Sequence, residues 1–175
     1  WRPNADYTDI DSEKNDLIRA GEAIKAATGQ KPVGFFCRGS ESSWTRKLLA
    51  NEGYIYTSNA FDDDLPYHDS SGLIVVPYNL DTNDMKFFHP NGFVRSAEMY
   101  EYVCDAVEQL LIEAREGKSS TLSIGFHLRI GGRPARFRAV TKILEYLADL
   151  DAQIWRARRI DIARHFAAVS QTAKT

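Results

Sequence analysis

The stretch Leu73-Ile74-Val75-Val76-Pro77-Tyr78 (LIVVPY) decides the fold class. Four successive apolar residues with no polar alternation describe a strand covered on both faces, the habit of parallel strands in α/β proteins. Moving towards the amino terminus, Tyr54–Ala60 (YIYTSNA) is a second run of strand formers, separated from the first by the acidic, aromatic loop FDDDLPYHD. Before it, Ser43–Asn51 reads as a capped helix with Leu48 and Leu49 on its buried side and Gly53 as its stop. Val33–Arg38 (VGFFCR) is a short apolar strand. Ser12–Thr28 is a helix, with Leu17, Gly21 and Ile24 at helical spacing, Ser12 or Asp11 as cap, and Gly29 and Pro32 beyond its end.

Towards the carboxyl terminus, Met99, Val103, Ala106, Val107, Leu110, Leu111 and Ala114 stripe a helix that runs from its cap at Ser96 to Gly117. Thr121–Leu128 (TLSIGFHL) alternates strictly, so a strand is expected with Leu122, Ile124, Phe126 and Leu128 facing helices and His127 on the small, polar side. Pro134 suits a helix start, and Phe137, Val140, Ile143, Leu144 and Leu147 give that helix its apolar face. Ile154–Arg158 and Asp161–Val169 read as a last strand and a last helix.

These strand-then-helix units predict a single α/β domain over residues 1–175 with five strands. A closed eight-stranded (β/α) barrel takes about 250 residues, so the alternatives are a small open sheet or the later portion of a barrel. At this length about 70% of the surface of the unfolded chain can be buried on folding. The 22 basic and 24 acidic residues leave a net charge of −2, which argues against nucleic acid and anionic membranes as partners. No apolar run reaches the roughly 20 residues of a membrane span, and Trp1-Arg2-Pro3-Asn4 lacks the features of a signal peptide. A soluble, cytoplasmic protein is expected, with Cys37 and Cys104 as reduced, buried thiols.

Chemistry is sought beyond the carboxyl ends of parallel strands. His127 sits at such an end, where an imidazole can deliver a proton to a leaving amine; a core histidine bonded to a backbone carbonyl fits the same position. Arg38 ends one strand and Asp62-Asp63-Asp64 follows another, a placement for a paired arginine and carboxylate or for a solvated acidic turn. Asn83 and Asp84 follow the LIVVPY strand as further rim groups or as a simple turn. Arg129 and Arg133 flank Gly131-Gly132, either as anchors for an anionic or carbonyl-rich substrate or as a solvated loop. Arg156, Arg158, Arg159 and Arg164 with Asp161 read as ion-paired rather than phosphate-binding. His68, His89 and His165 lack metal-site spacing, and there is no HExxH, CxxC, phosphate loop, dinucleotide fingerprint or GxSxG elbow.

Taken together and in this order, PVGFFCRG, YTSNAFDDDLPYH, LIVVPYNLDTNDMKF, SIGFHLRIGGRPAR and IWRARRIDIARHF resemble the polysaccharide-deacetylase-like superfamily. Within it they look most like the branch of cofactor-independent allantoinases and related cyclic-amide hydrolases. The resemblance covers residues from about Trp1 to Phe166 and implies the later portion of a distorted (β/α) barrel whose early strands are absent. By position it makes His127 the general acid and Arg38 the arginine after the GFF strand, although CRGSESSWTR departs from the family's spacing. The carboxylate near that arginine is Asp63 or Asp64; Asp64 is assigned to catalysis, and Asp63, Tyr67, Asn83, Asp84 and Arg133 to the substrate.

In that family the catalytic base is an aspartate of the first strand, and metal-dependent members draw an aspartate and two histidines from early motifs; this chain contains none of these. No cofactor is expected from this chain, and a divalent metal such as zinc only with ligands from the missing part. The expected activity is hydrolysis of a non-peptide amide C–N bond, most simply ring opening of a small cyclic amide such as allantoin or a cyclic imide. The alternatives are N-deacetylation of chitin- or peptidoglycan-type polymers and a non-catalytic subunit or fragment. Expected partners are the small amide substrate, the N-terminal half of the barrel or a second chain, and further copies in a homo-oligomer.

Overall fold

The computed structural model describes residues 7–39 and 41–172, with the side chains of 171 and 172 excepted. The amino-terminal reading of Trp1-Arg2-Pro3-Asn4 lies outside the described residues. The chain divides into two compact units, one from the residues up to Pro77 together with those from Ala157 onward, the other Tyr78–Arg156.

The first unit holds a four-stranded sheet in the order β1-β2-β4-β3, made of β1 (Gly34–Phe35), β2 (Tyr56–Thr57), β3 (Tyr67–His68) and β4 (Ile74–Val75). Strands β1, β2 and β4 are parallel, with Gly34 opposite Tyr56 and Tyr56 opposite Ile74, whereas β3 runs antiparallel to β4. Alternate residues of LIVVPY enter different clusters. Leu73 packs with Leu17, Leu48, Leu49 and Tyr54, while Ile74 and Val76 pack on Ala163 of the last helix. That two-sided burial is why the stretch carries no polar residue. Helix α1 (Ile10–Thr28) starts earlier than expected, because the Asp9 carboxylate, rather than Ser12 or Asp11, caps it by accepting from the Ser12 amide at 2.7 Å. Helix α2 (Thr45–Asn51) buries Leu48 and Leu49 as expected.

The second unit is built on α3 (Ser96–Arg115) packed against α5 (Pro134–Asp149) around Phe93, Met99, Val103, Val107, Ala139 and Ile143. Ser96 is the first helical residue, not the cap. The start of α3 is instead tied by the Glu98 carboxylate, which accepts from the amides of Val94 and Arg95 at 2.6 and 3.1 Å and is thereby held below the usual glutamate range. Pro134 opens α5 as expected, but Phe137 and Leu144 are exposed and the buried line runs through Ala139 and Ile143.

Three expectations about strands are corrected. Thr121–Leu128 is not a strand: it is an extended segment with one parallel bridge, Gly125 to Asn83. Leu122 and Ile124 do point into the core, but Phe126 and Leu128 are exposed and Leu128 begins the one-turn helix α4 (Leu128–Gly131). Ile154–Arg158 forms no strand either, following a 3-10 turn at Asp151–Gln153. The loop FDDDLPYHD, in contrast, contains β3. The last helix, α6, spans Arg159–Thr172. Among the described residues no helix is long and apolar enough to cross a membrane.

Candidate functional site

In the second unit the segment after LIVVPY is zipped to the extended segment before α4. The Asn79 carboxamide oxygen accepts from the Ser123 amide at 2.8 Å, the Thr82 hydroxyl donates to the Ser123 carbonyl at 2.6 Å, and the Gly125 amide donates to the Thr82 carbonyl at 3.1 Å. The Asp84 amide then donates to the Gly125 carbonyl at 3.0 Å. This places Asp84, at the head of a 3-10 turn (Asp84–Phe88), directly against His127.

Asp84 is fully buried. Burying a carboxylate is costly unless donors replace its water, and here they do. Oδ2 accepts from the amides of His127 and Gly131 at 2.8 and 2.9 Å, and Oδ1 lies 2.6 Å from His127 Nδ1. Because an ionised carboxylate only accepts, the hydrogen of that contact belongs to Nδ1. Nε2 is left as the working nitrogen of a side chain that is 39% exposed. The second amide can approach only because residue 131 is glycine: a Cβ there would stand 2.8 Å from Asp84 Oδ2 and 3.3 Å from a Val140 methyl. Such a histidine, fixed on one side by a carboxylate and open on the other, is a proton donor or acceptor of defined direction.

Of the expected residues, the structure joins Asp84 to His127. Asp84, expected among the substrate groups, has both oxygens taken up by three donors and no exposed surface. Asn83 is buried beside it and accepts from the Met85 amide at 2.9 Å. Arg133 is exposed just before α5, its amide bonded to the Ile130 carbonyl.

In the first unit Arg38 follows β1 exposed to solvent, and among the described residues no ion pair links it to Asp62, Asp63 or Asp64. Asp62 accepts from the Tyr67 hydroxyl at 3.1 Å, Asp63 accepts from the Leu65 amide at 3.0 Å, and Asp64 is exposed. An arginine that does meet carboxylates near β2 is Arg46, at the start of α2. Its Nε donates to Glu41 at 2.8 Å, Nη1 lies 3.6 Å from Asp69, and Nη2 donates to the Asn59 carbonyl at 3.3 Å. Glu41 also accepts from Thr57 of β2 at 2.8 Å. Asn59 clasps the Cys37 peptide from both sides, accepting from its amide and donating to its carbonyl, each at 2.8 Å. Sequence reasoning passed over Glu41, Arg46 and Asn59; the signal lay in the irregular CRGSESSWTR segment, which holds a second arginine eight residues after the first.

Burial raises the Cys37 thiol, with Glu41 adding to the effect, and burial likewise raises Cys104. Three of the basic series are ion-paired or spent on carbonyls: Arg158 binds Asp161 through two bonds of 2.8 and 2.9 Å, Arg156 lies 3.6 Å from Asp151, and Arg159 donates to the Val76 carbonyl at 3.2 Å. Among the described residues no three His, Cys, Asp or Glu side chains are gathered to hold a metal ion.

No family model matches the chain. Over 177 residues it is 36% identical to the "Putative polysaccharide deacetylase" of Schizosaccharomyces pombe, covering 90% of this chain and 55% of that protein. The crystal structure of Puue allantoinase superposes with a TM-score of 0.80 at 37% identity, over 93% of this chain and 55% of that one. The "probable Polysaccharide deacetylase" of Pseudomonas aeruginosa PAO1 gives 0.81 at 39% identity, over 91% and 54%. The chain thus spans about 55% of the relatives it matches, in their C-terminal part.

Proposed function

Since the chain has the polysaccharide-deacetylase-like fold and corresponds to part of that barrel, we propose that it contributes the acid side of a hydrolase acting on non-peptide amide C–N bonds. The observation that carries this reading is the Asp84–His127 pair, 2.6 Å apart, with Nε2 left open. Water activated by a base outside this chain attacks the amide carbonyl. As the C–N bond breaks, His127 Nε2 gives its proton to the departing nitrogen, and Asp84 stabilises the imidazolium until that transfer and holds the ring in register throughout. Following the family resemblance, the base is an aspartate from the portion of the barrel that precedes this chain, on the same polypeptide or a second one.

Among substrates, a small cyclic amide such as allantoin is the first reading, supported by the likeness to Puue allantoinase. Sugar N-deacetylation is the second, supported by the names of the other two relatives. Arg38, Asp63, Asp64, Tyr67 and Arg133 are proposed as further substrate or orienting groups on the resemblance alone.

The test is a turnover panel on the native protein with the chain that completes it, comparing allantoin, succinimide and N-acetylglucosamine oligomers, with and without chelator. His127→Ala is expected to lower kcat by about a hundredfold or more, the usual worth of a general acid. Unchanged turnover would remove His127 from the mechanism, and a folded native protein that turns over no amide would establish a non-catalytic subunit.

A further inference from the structure

Asn83 is buried to more than nine-tenths, yet half of its carboxamide is unspent. The orientation of that group is settled by its neighbour: Oδ1 accepts from the Met85 amide at 2.9 Å, so the amide nitrogen Nδ2 is on the other side. Nδ2 has no hydrogen-bond partner among the described residues. Among those residues no polar side-chain atom is both sealed from solvent and unpartnered, so Nδ2 opens onto accessible space.

The direction in which it opens follows from Gly125. A Cβ built on Gly125 would lie 2.2 Å from Nδ2 and 2.8 Å from the Asn83 Cγ. Nδ2 therefore occupies the place a side chain of residue 125 would take. Residue 127 is two positions further along the extended segment, with His127 at φ −115° and ψ 128°, and alternate residues of an extended chain project to the same side. The Asn83 N–H group, standing at the side-chain position of Gly125, and the His127 ring consequently share one face, the Cα atoms of residues 125 and 127 being roughly 6 to 7 Å apart along the segment. That spacing leaves room for one amide group between them.

We propose that Asn83 Nδ2 is the donor that binds the carbonyl oxygen of the substrate amide while His127 faces its nitrogen, and that Gly125 is the residue that makes room for it. This assignment rests on the amide-hydrolase reading above. It explains two otherwise separate facts: a buried carboxamide with an open donor, and a glycine at a position where every other residue type would displace it.

The test is nitrogen-15 NMR of the native protein titrated with hydantoin and, separately, N-acetylglucosamine. The Asn83 side-chain NH2 pair and the His127 ring signals are expected to shift together and to saturate at the same probe concentration. Asn83→Asp retains an oxygen for the Met85 amide but loses the donor, and should weaken binding about tenfold, the worth of one lost hydrogen bond to a buried partner. In that variant the Nδ1–H resonance of the Asp84–His127 pair should persist. Gly125→Ala should weaken binding at least as much; if it does not fold, Asn83→Asp carries the test. A shift at His127 with none at Asn83, or an Asn83→Asp variant that binds as tightly as wild type, overturns the assignment alone. Silence of both groups towards both probes overturns the amide-binding reading together with it.

Discussion

At the scale of single residues, the decisive group is one whose sequence context is mute. Asp84 follows Asp81-Thr-Asn, a composition that suits a turn, and nothing in it announces a fully buried carboxylate. Its burial depends on amides 43 and 47 residues away, which local spacing cannot register. The position of His127 at the end of an alternating segment could be read from the sequence, whereas Arg46 and Glu41 drew no notice, since the bonds that tie their pair to Asn59 and Thr57 span 13 and 16 residues. Asp84→Asn sharpens the point. An amide in place of the carboxylate either opposes its NH2 to the backbone amides or donates it to His127 Nδ1, which must then accept, so the ring takes the other tautomer and its imidazolium loses its carboxylate partner. We expect kcat to fall by about a hundredfold or more while circular dichroism still shows a folded protein; full activity of the variant would refute an orienting role for Asp84.

Elements were legible where burial dictated composition and illegible where hydrogen bonds did. LIVVPY is apolar throughout because it is covered twice, and the α3 stripe follows the face turned to α5. Strand β3, by contrast, is two residues long in an acidic loop, and pairs with β4 through backbone groups that leave no trace in side-chain pattern. Thr121–Leu128 shows the reverse error. Its alternation is real, with Leu122 and Ile124 in the core, but the Ser123 amide bonds to a side chain, Asn79, rather than to a neighbouring strand. At the α3 start, Glu98 is held below its ordinary value by the amides of Val94 and Arg95. A depressed carboxyl contributes stability that is present above its unfolded value and lost as the pH falls through the folded one. Acidification through and below the glutamate range should therefore fray α3, followed by its circular dichroism. Glu98→Gln should start out less stable near neutral pH and show a smaller acid loss; an identical pH profile would deny the tie.

For the whole molecule, the sheet order β1-β2-β4-β3 makes β1 a parallel edge strand, and edges of this kind pair with other chains unless covered. We expect native mass spectrometry of the protein as purified to show the chain bound to a second polypeptide or to copies of itself. A well-folded monomer at high concentration would remove that expectation. The likeness over about 55% of the relatives' length agrees with a partial barrel, and the strand-then-helix order that suggested it was visible in the sequence from LIVVPY outward.

The return of residues from Ala157 onward to the first unit has a consequence for biosynthesis. Tyr78–Arg156 is contiguous, so it can acquire its core while still near the ribosome, whereas the apolar face of Ile74 and Val76 stays bare until α6 delivers Ala163. Emerging chains fold domain by domain, and bare strands attract chaperones or one another in the interval. A chain cut short after Arg156 would keep the contiguous core of Tyr78–Arg156 but leave Ile74 and Val76 without Ala163 to cover them.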